Sequence, residues 1–129
     1  MKILSGTYKG IRIETSKSAS YRPTKSRVRK SIFDILSPFY YSNILDLYSG
    51  TGILGFESAS RGATSVTFVE NNFKNIKLLE HNKIKFNDTD FSVVKNNVET
   101  FLKRSEKKFD LIFADPPYSK IDYEWLFNS

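Results

Sequence analysis

The 129-residue sequence has no cysteine, one histidine and one tryptophan. Without cysteine there is no disulfide framework, no thiolate zinc site, no iron–sulfur cluster and no thiol nucleophile. A single histidine excludes an all-imidazole metal site, and no metal is expected. Long apolar runs are missing as well. Nothing approaches the roughly 18 uninterrupted apolar residues of a spanning helix, and Met1-Lys2-Ile3-Leu4-Ser5-Gly6 is too short for the apolar stretch of a signal peptide. The expectation is a cytoplasmic protein with no membrane partner. The length excludes separate cofactor and substrate domains. What is present is a globular mixture: 40% apolar and 26% charged residues, with 11 Phe and 7 Tyr to fill a core, which argues against disorder.

The net charge of +6 is unevenly placed. Residues 1–40 hold nine Lys and Arg against Glu14 and Asp34, a balance of +7, whereas residues 41–129 hold eleven against twelve, a balance of −1. A Lys-rich composition alone would spread the charge evenly, so the asymmetry points to a polyanionic partner for the amino-terminal third.

Short apolar runs at residues 2–5 and 11–14, separated by Gly6-Thr7-Tyr8-Lys9-Gly10, predict a hairpin or pair of edge strands. A polar loop follows, and then Val28, Ile32, Ile35 and Leu36 recur with helical spacing. They predict an amphipathic helix that starts near Pro23 and ends before Pro38, with Lys25, Arg29 and Lys30 on the opposite, solvated face. From Asn43 the pattern alternates between strands and helices: strands at 44–48, 65–69, 91–95 and 109–114, and helices at 53–61, 72–86 and 98–104. This is the signature of βαβ units and a parallel sheet. The chain divides into a basic hairpin-and-helix appendage over residues 1–40, expected to contact RNA, and an α/β core over residues 41–129.

The first core strand runs into Ser49-Gly50-Thr51-Gly52-Ile53-Leu54-Gly55, a G-x-G-x-x-G turn where the backbone must pass close to a ligand. Glu70, at the end of the next strand, can accept hydrogen bonds from both hydroxyls of an adenosine ribose. Asp46 lies four residues before Gly50. An acid there would crowd the pyrophosphate of NAD, but it suits a cofactor with a cationic end such as S-adenosylmethionine. The pattern therefore favours the methyl donor over the dinucleotide.

The fourth strand ends in Asp115-Pro116-Pro117-Tyr118. Two prolines make a rigid turn whose carbonyls face outward. An exocyclic amine on a nucleobase is a poor nucleophile because its lone pair is delocalised into the ring. The Asp115 carboxylate and the Pro116 carbonyl can each accept one amine hydrogen, localising that pair, while Tyr118 stacks on a flipped base.

Asp46 through Ala63, Phe68-Val69-Glu70 and Asp115-Pro116-Pro117-Tyr118 resemble the class I S-adenosylmethionine-dependent methyltransferases of the amino-group type. Arg22-Pro23-Thr24-Lys25-Ser26-Arg27-Val28-Arg29, with Ile32-Phe33 after it, narrows the resemblance to the RsmD family, the 16S ribosomal RNA guanine-N2 methyltransferases. The resemblance implies a Rossmann-like fold and direct methyl transfer to the N2 amine of a flipped guanine, in 16S rRNA or a 30S assembly intermediate. It implies that Asp46, Gly50, Gly52 and Glu70 hold the cofactor, together with Tyr48, Thr51 and Asn71 beside them, and that Asn97 lies near the adenine. Asp115 to Tyr118 would receive the target base, and Arg22, Lys25, Arg27 and Arg29 would follow the RNA backbone. Lys30 departs from the acidic residue usual after Val-Arg. Other readings are an adenine-N6 nucleic-acid methyltransferase, a non-catalytic RNA-binding remnant and, more distantly, an NAD-dependent oxidoreductase.

His81 reads as an exposed histidine; methyl transfer needs mainly alignment, so no catalytic histidine is required. Phe73, Ile76 and Leu79 read as core, and Lys103, Arg104, Lys107 and Lys108 as a solvated face. In the class I strand order 3-2-1-4-5-7-6 the fourth strand is central, yet only residues 119–129 follow the proline turn. The expectation is a shortened methyltransferase with a sheet incomplete on that side, which self-associates through its fourth strand.

Overall fold

The computed structural model describes residues 1–15 and 26–116. Helix α1 spans Ser26–Ile35, and the core follows as β1 (Asn43–Leu47), α2 (Ile53–Ser60), β2 (Ser65–Glu70), α3 (Phe73–Lys83), β3 (Asp90–Lys95), α4 (Val98–Arg104) and β4 (Leu111–Ala114). The four strands form one parallel sheet in the order β3-β2-β1-β4. The expected α/β architecture is present, and the element ends of the core lie within three residues of the sequence reading. The fourth strand starts at Leu111 because Asp110 caps β1: its carboxylate accepts the N–H groups of Ser42 and Asn43 at 3.0 and 2.8 Å.

Alternation along β1 sorts its side chains between the two faces of the sheet. Ile44 joins Val66, Phe68, Phe56, Leu79, Phe86 and Phe113 in the larger core, while Leu45 and Leu47 join Val69 and Val98 in a smaller core on the α4 side. The larger core is aromatic: Phe56 stacks on Phe86 at 4.9 Å and Phe68 on Phe91 at 5.9 Å. Ile3, Ile13 and Phe33 are buried in that same cluster, so the amino-terminal residues 1–15 and helix α1 share a core with the sheet.

The predicted hairpin is an antiparallel pairing with a single bridge, Lys2 to Arg12, flanked by Ile3 N–H to Ile11 C=O (3.0 Å) and Ile13 N–H to Met1 C=O (2.8 Å). Asn82 of α3 exchanges two hydrogen bonds with the Glu14 backbone, at 3.0 and 2.9 Å, and others go to α2. The buried Glu57 carboxylate accepts the N–H groups of Leu4 (2.9 Å) and Ser5 (3.2 Å), as well as Arg61 Nε (2.9 Å). Ser60 adds an acceptor for the Tyr8 N–H at 2.9 Å.

Two expectations about helix faces are corrected. Helix α1 turns Arg29 and Phe33 inward, and Val28 and Ile35 point to solvent, Ile35 with 83% exposure. The reason is electrostatic as well as apolar. Arg29 Nη2 donates to the Lys2 carbonyl at 2.7 Å and lies in the field of Glu57, while burial lowers its pKa. In α3 the buried side chains are Asn75, Leu79 and Asn82, spaced i, i+4, i+7. That face leaves Ile76 half-buried and Phe73 60% exposed, so Phe73 is not core. His81 is exposed as expected and pairs with Glu14 at 2.7 Å.

Candidate functional site

All four strands are parallel, so their carboxyl ends share one edge of the sheet. Ligands of open α/β sheets bind at that edge. Here it gathers Tyr48, Gly50, Thr51 and Gly52 after β1, Glu70 and Asn71 at the end of β2, Asn97 after β3 and Asp115 after β4.

The loop after β1 turns through left-handed backbone at Tyr48 (φ 54°), Gly50 (φ 56°) and Gly52 (φ 77°). Gly52 caps α2, and its glycine identity has a packing cause beside the conformational one. A Cβ there would lie 2.4 Å from Leu79 Cδ2, and one at Gly55 would lie 2.4 Å from Phe68 Cε1. The space at these two glycines is filled by core side chains, so they bring α2 down onto the sheet. The Thr51 side chain is buried, and its oxygen accepts the Ile53 N–H at 3.2 Å.

Glu70 is held from three sides. Oε1 accepts the Gly50 N–H at 3.0 Å, and Oε2 accepts the Asn72 N–H at 2.9 Å and Asn75 Nδ2 at 3.1 Å. A carboxylate has about four lone-pair positions, so one remains for a ligand hydroxyl. Asn75 was not singled out from the sequence. Its signal is the pair Asn72 and Asn75, three residues apart directly after the strand-ending acid: Asn72 caps α3 and Asn75, one turn on, faces back to Glu70. Asn97 likewise caps α4, its side chain accepting the Thr100 N–H at 2.7 Å.

Asp46 is the penultimate residue of β1 and is buried, with its carboxylate accepting the Gly55 N–H at 3.2 Å. Burial pushes its pKa well up, and the negative charges of Glu70 and Asp115 push in the same direction, against the Gly55 N–H. Three carboxylates thus share one edge. They do not converge as a metal site, since no cluster of three such ligands occurs among the described residues. A polyphosphate would be repelled, whereas an organic cation with a ribose would favour the ionised form of Asp46 and find an acceptor at Glu70.

Of the residues expected to follow RNA, Arg27 is exposed on α1, and Arg22 and Lys25 lie outside the described residues, as do Pro117 and Tyr118. Arg29 is corrected: it is 1% exposed and committed to Lys2 and the Glu57 field, so it is not placed to meet a phosphate. No helix among the described residues is long and apolar enough to cross a membrane.

A parallel α/β sheet with a glycine turn after β1, an acid closing β2 and Asp115 directly after β4 defines the class I methyltransferase fold. The family model described as conserved hypothetical protein 95 matches residues 1–128, and the chain belongs to that family, the RsmD family. It is 38% identical over 120 residues to ribosomal RNA small subunit methyltransferase D of Buchnera aphidicola, a match covering 92% of this chain and 61% of the relative. The chain spans about three fifths of the length of the curated relatives of that name. Among solved structures, a hypothetical protein of Thermus thermophilus superimposes with a TM-score of 0.84 at 32% identity, covering 99% of this chain and 75% of that one. A Pyrococcus abyssi tRNA (uracil-54, C5)-methyltransferase in complex with S-adenosyl-L-homocysteine matches with a TM-score of 0.57 at 26% identity, covering 78% of this chain and 24% of that one.

Proposed function

We propose that this chain binds S-adenosylmethionine at the carboxyl edge of the sheet and methylates the exocyclic N2 amine of a guanine in cytosolic 16S rRNA, either free or in a 30S assembly intermediate. The observation that carries the reading is the electrostatics of that edge. Buried Asp46, flanked by the charges of Glu70 and Asp115, calls for a cationic nucleoside ligand, and Glu70 is oriented by three hydrogen bonds to accept a ribose hydroxyl. When bound, that donor supplies an electrophilic methyl group.

The residues of this chain then have separable tasks. Asp46 and Glu70 bind, and the loop from Tyr48 to Gly52 shapes the cleft. Asn71 and Asn97 border the adenine, and Thr51 keeps the first turn of α2 in place. Asp115 and the Pro116 carbonyl orient the target amine by accepting its hydrogens, with Pro117 fixing the turn and Tyr118 stacking on the base. The amine loses its proton after attack, so no strong base is needed. Arg22, Lys25 and Arg27 follow phosphates, and Arg29 instead ties α1 to the hairpin. β4, which pairs with β1 alone among the described residues, provides for self-association.

Calorimetry with S-adenosylmethionine and NAD, joined to mass-spectrometric mapping of methylated nucleotides in 16S rRNA, tests the reading. Binding of the methyl donor alone, with the methyl group on guanine N2, is the expected result. Preferential binding of NAD, or methylation of adenine N6, would overturn the corresponding half.

A further inference from the structure

The same edge of the sheet carries a second feature, on the far side of Glu70 from Asp115. Phe73, the first residue of α3, is 60% exposed, whereas Phe33, Phe56, Phe68, Phe86 and Phe113 are buried in one core. Two lysines lie over its ring, Lys77 Nζ at 5.1 Å and Lys95 Nζ at 5.7 Å from the centroid. Lys74 is exposed beside them. None of the three lysines forms an ion pair among the described residues. The neighbouring acids are engaged elsewhere: Glu70 accepts from Gly50, Asn72 and Asn75, and Glu80 pairs with Lys83 at 2.8 Å.

We infer that Phe73, with Lys74, Lys77 and Lys95, is a contact for single-stranded RNA, the ring stacking on an unpaired base and the lysines meeting the phosphates on either side of it. An exposed aromatic face inside a group of unpaired cations is the combination by which single strands are held without sequence preference, because every base has a π-face and every linkage a negative charge. A protein partner would leave three like charges uncompensated unless it brought acids to match. A lone exposed phenylalanine would not need cations from two different elements, α3 and β3, brought to it. The position also fits. Lys95 ends β3, which lies three interstrand spacings from β4, about 14 Å. This is the length of roughly four stacked nucleotides. An RNA whose target base reaches Asp115 can therefore lay a base a few nucleotides away on Phe73. The inference rests on the RNA substrate proposed above.

The test measures binding of the full chain to a labelled single-stranded RNA of about 16 nucleotides, near the upper site size of one binding groove, and to the same RNA annealed as a duplex. Phe73→Leu should weaken single-strand binding about tenfold and duplex binding much less, while Phe73→Trp retains wild-type affinity. Replacing Lys77 and Lys95 together by Gln should lower the slope of log affinity against log salt by about one to two, and Lys103→Gln, which loses a lysine already paired with Glu99, should leave it unchanged. S-adenosylmethionine affinity should be the same in all variants. Wild-type RNA affinity in Phe73→Leu overturns the inference alone. So does a loss confined to donor affinity, which would make the ring a cofactor contact. A wild-type chain that binds no RNA overturns the RNA substrate itself, and this contact with it.

Discussion

A carboxylate inside the larger core is an expensive residue, and Asp46 shows what the expense is for. Its burial and the charges of Glu70 and Asp115 all favour the protonated form, so its folded-state pKa lies well above the ordinary aspartate value of 3.8. The sign of the linkage follows. Below that ordinary value the group is protonated in both folded and unfolded chains and costs nothing; as pH rises, ionisation of the unfolded chain draws the equilibrium away from the native state. Asp46→Asn should therefore raise the unfolding temperature at neutral pH, with the gain shrinking as pH falls toward 3.8, while abolishing donor binding. Thermal melts across pH that show no gain at neutrality would mean that Asp46 is ionised and compensated. Glu70 presents the opposite case, a carboxylate whose hydrogen bonds are supplied by the loop and α3. Glu70→Ala removes a charge-assisted acceptor and should cost about 1–3 kcal/mol of donor binding. Calorimetry giving unchanged affinity would remove Glu70 from the site.

At the scale of elements, α2 is the joint between the appendage and the cleft: its first turn follows Gly52, and its Glu57 and Ser60 hold the hairpin. Glu57→Gln turns amide hydrogens toward N–H donors that need an acceptor. Breaking a buried charged network of this kind costs about 3–5 kcal/mol, so urea unfolding should register the loss and the amides of Leu4 and Ser5 should exchange faster. Exchange at those two amides equal to the wild-type rate would show that Glu57 does not hold the hairpin. This joint was not legible in the sequence, and the reason is physical. Alternating apolar runs declare β1 to β4, and Gly62 declares the end of α2, because burial and left-handed backbone each leave a local mark. Glu57 and Arg29 look like solvated residues on helices, and only the tertiary fold brings Arg29 into the field of Glu57 inside the core. The same holds for Phe73, whose helical spacing with Ile76 and Leu79 suggests burial, while the buried stripe runs through Asn75, Leu79 and Asn82. The places of Glu70 and Asp115 were legible because strand ends in a parallel sheet share an edge by topology alone.

At the scale of the whole molecule, the sheet is protected unequally. β1 and β2 are each paired on both sides, whereas β4 pairs with β1 alone among the described residues. Phe113 faces the larger core and packs near Phe33, but Ile112 on the opposite face is 53% exposed. A strand with one free side presents unpaired N–H and C=O groups, and an exposed β-branched residue on it adds apolar area to any strand that docks there. No bulge or proline interrupts Leu111 to Ala114, and none of these four side chains is charged, so the usual means of blunting an edge are missing from the strand itself. The expected outcome is weak self-association that grows with protein concentration. Ile112→Lys should reverse it by placing a like charge on each partner at the seam, and it should spare the fold because the side chain already reaches solvent. Light scattering over a concentration series tests this for both chains. A wild-type protein that stays monomeric at the highest concentration reached, or a variant that associates as strongly as wild type, would place the contact away from β4.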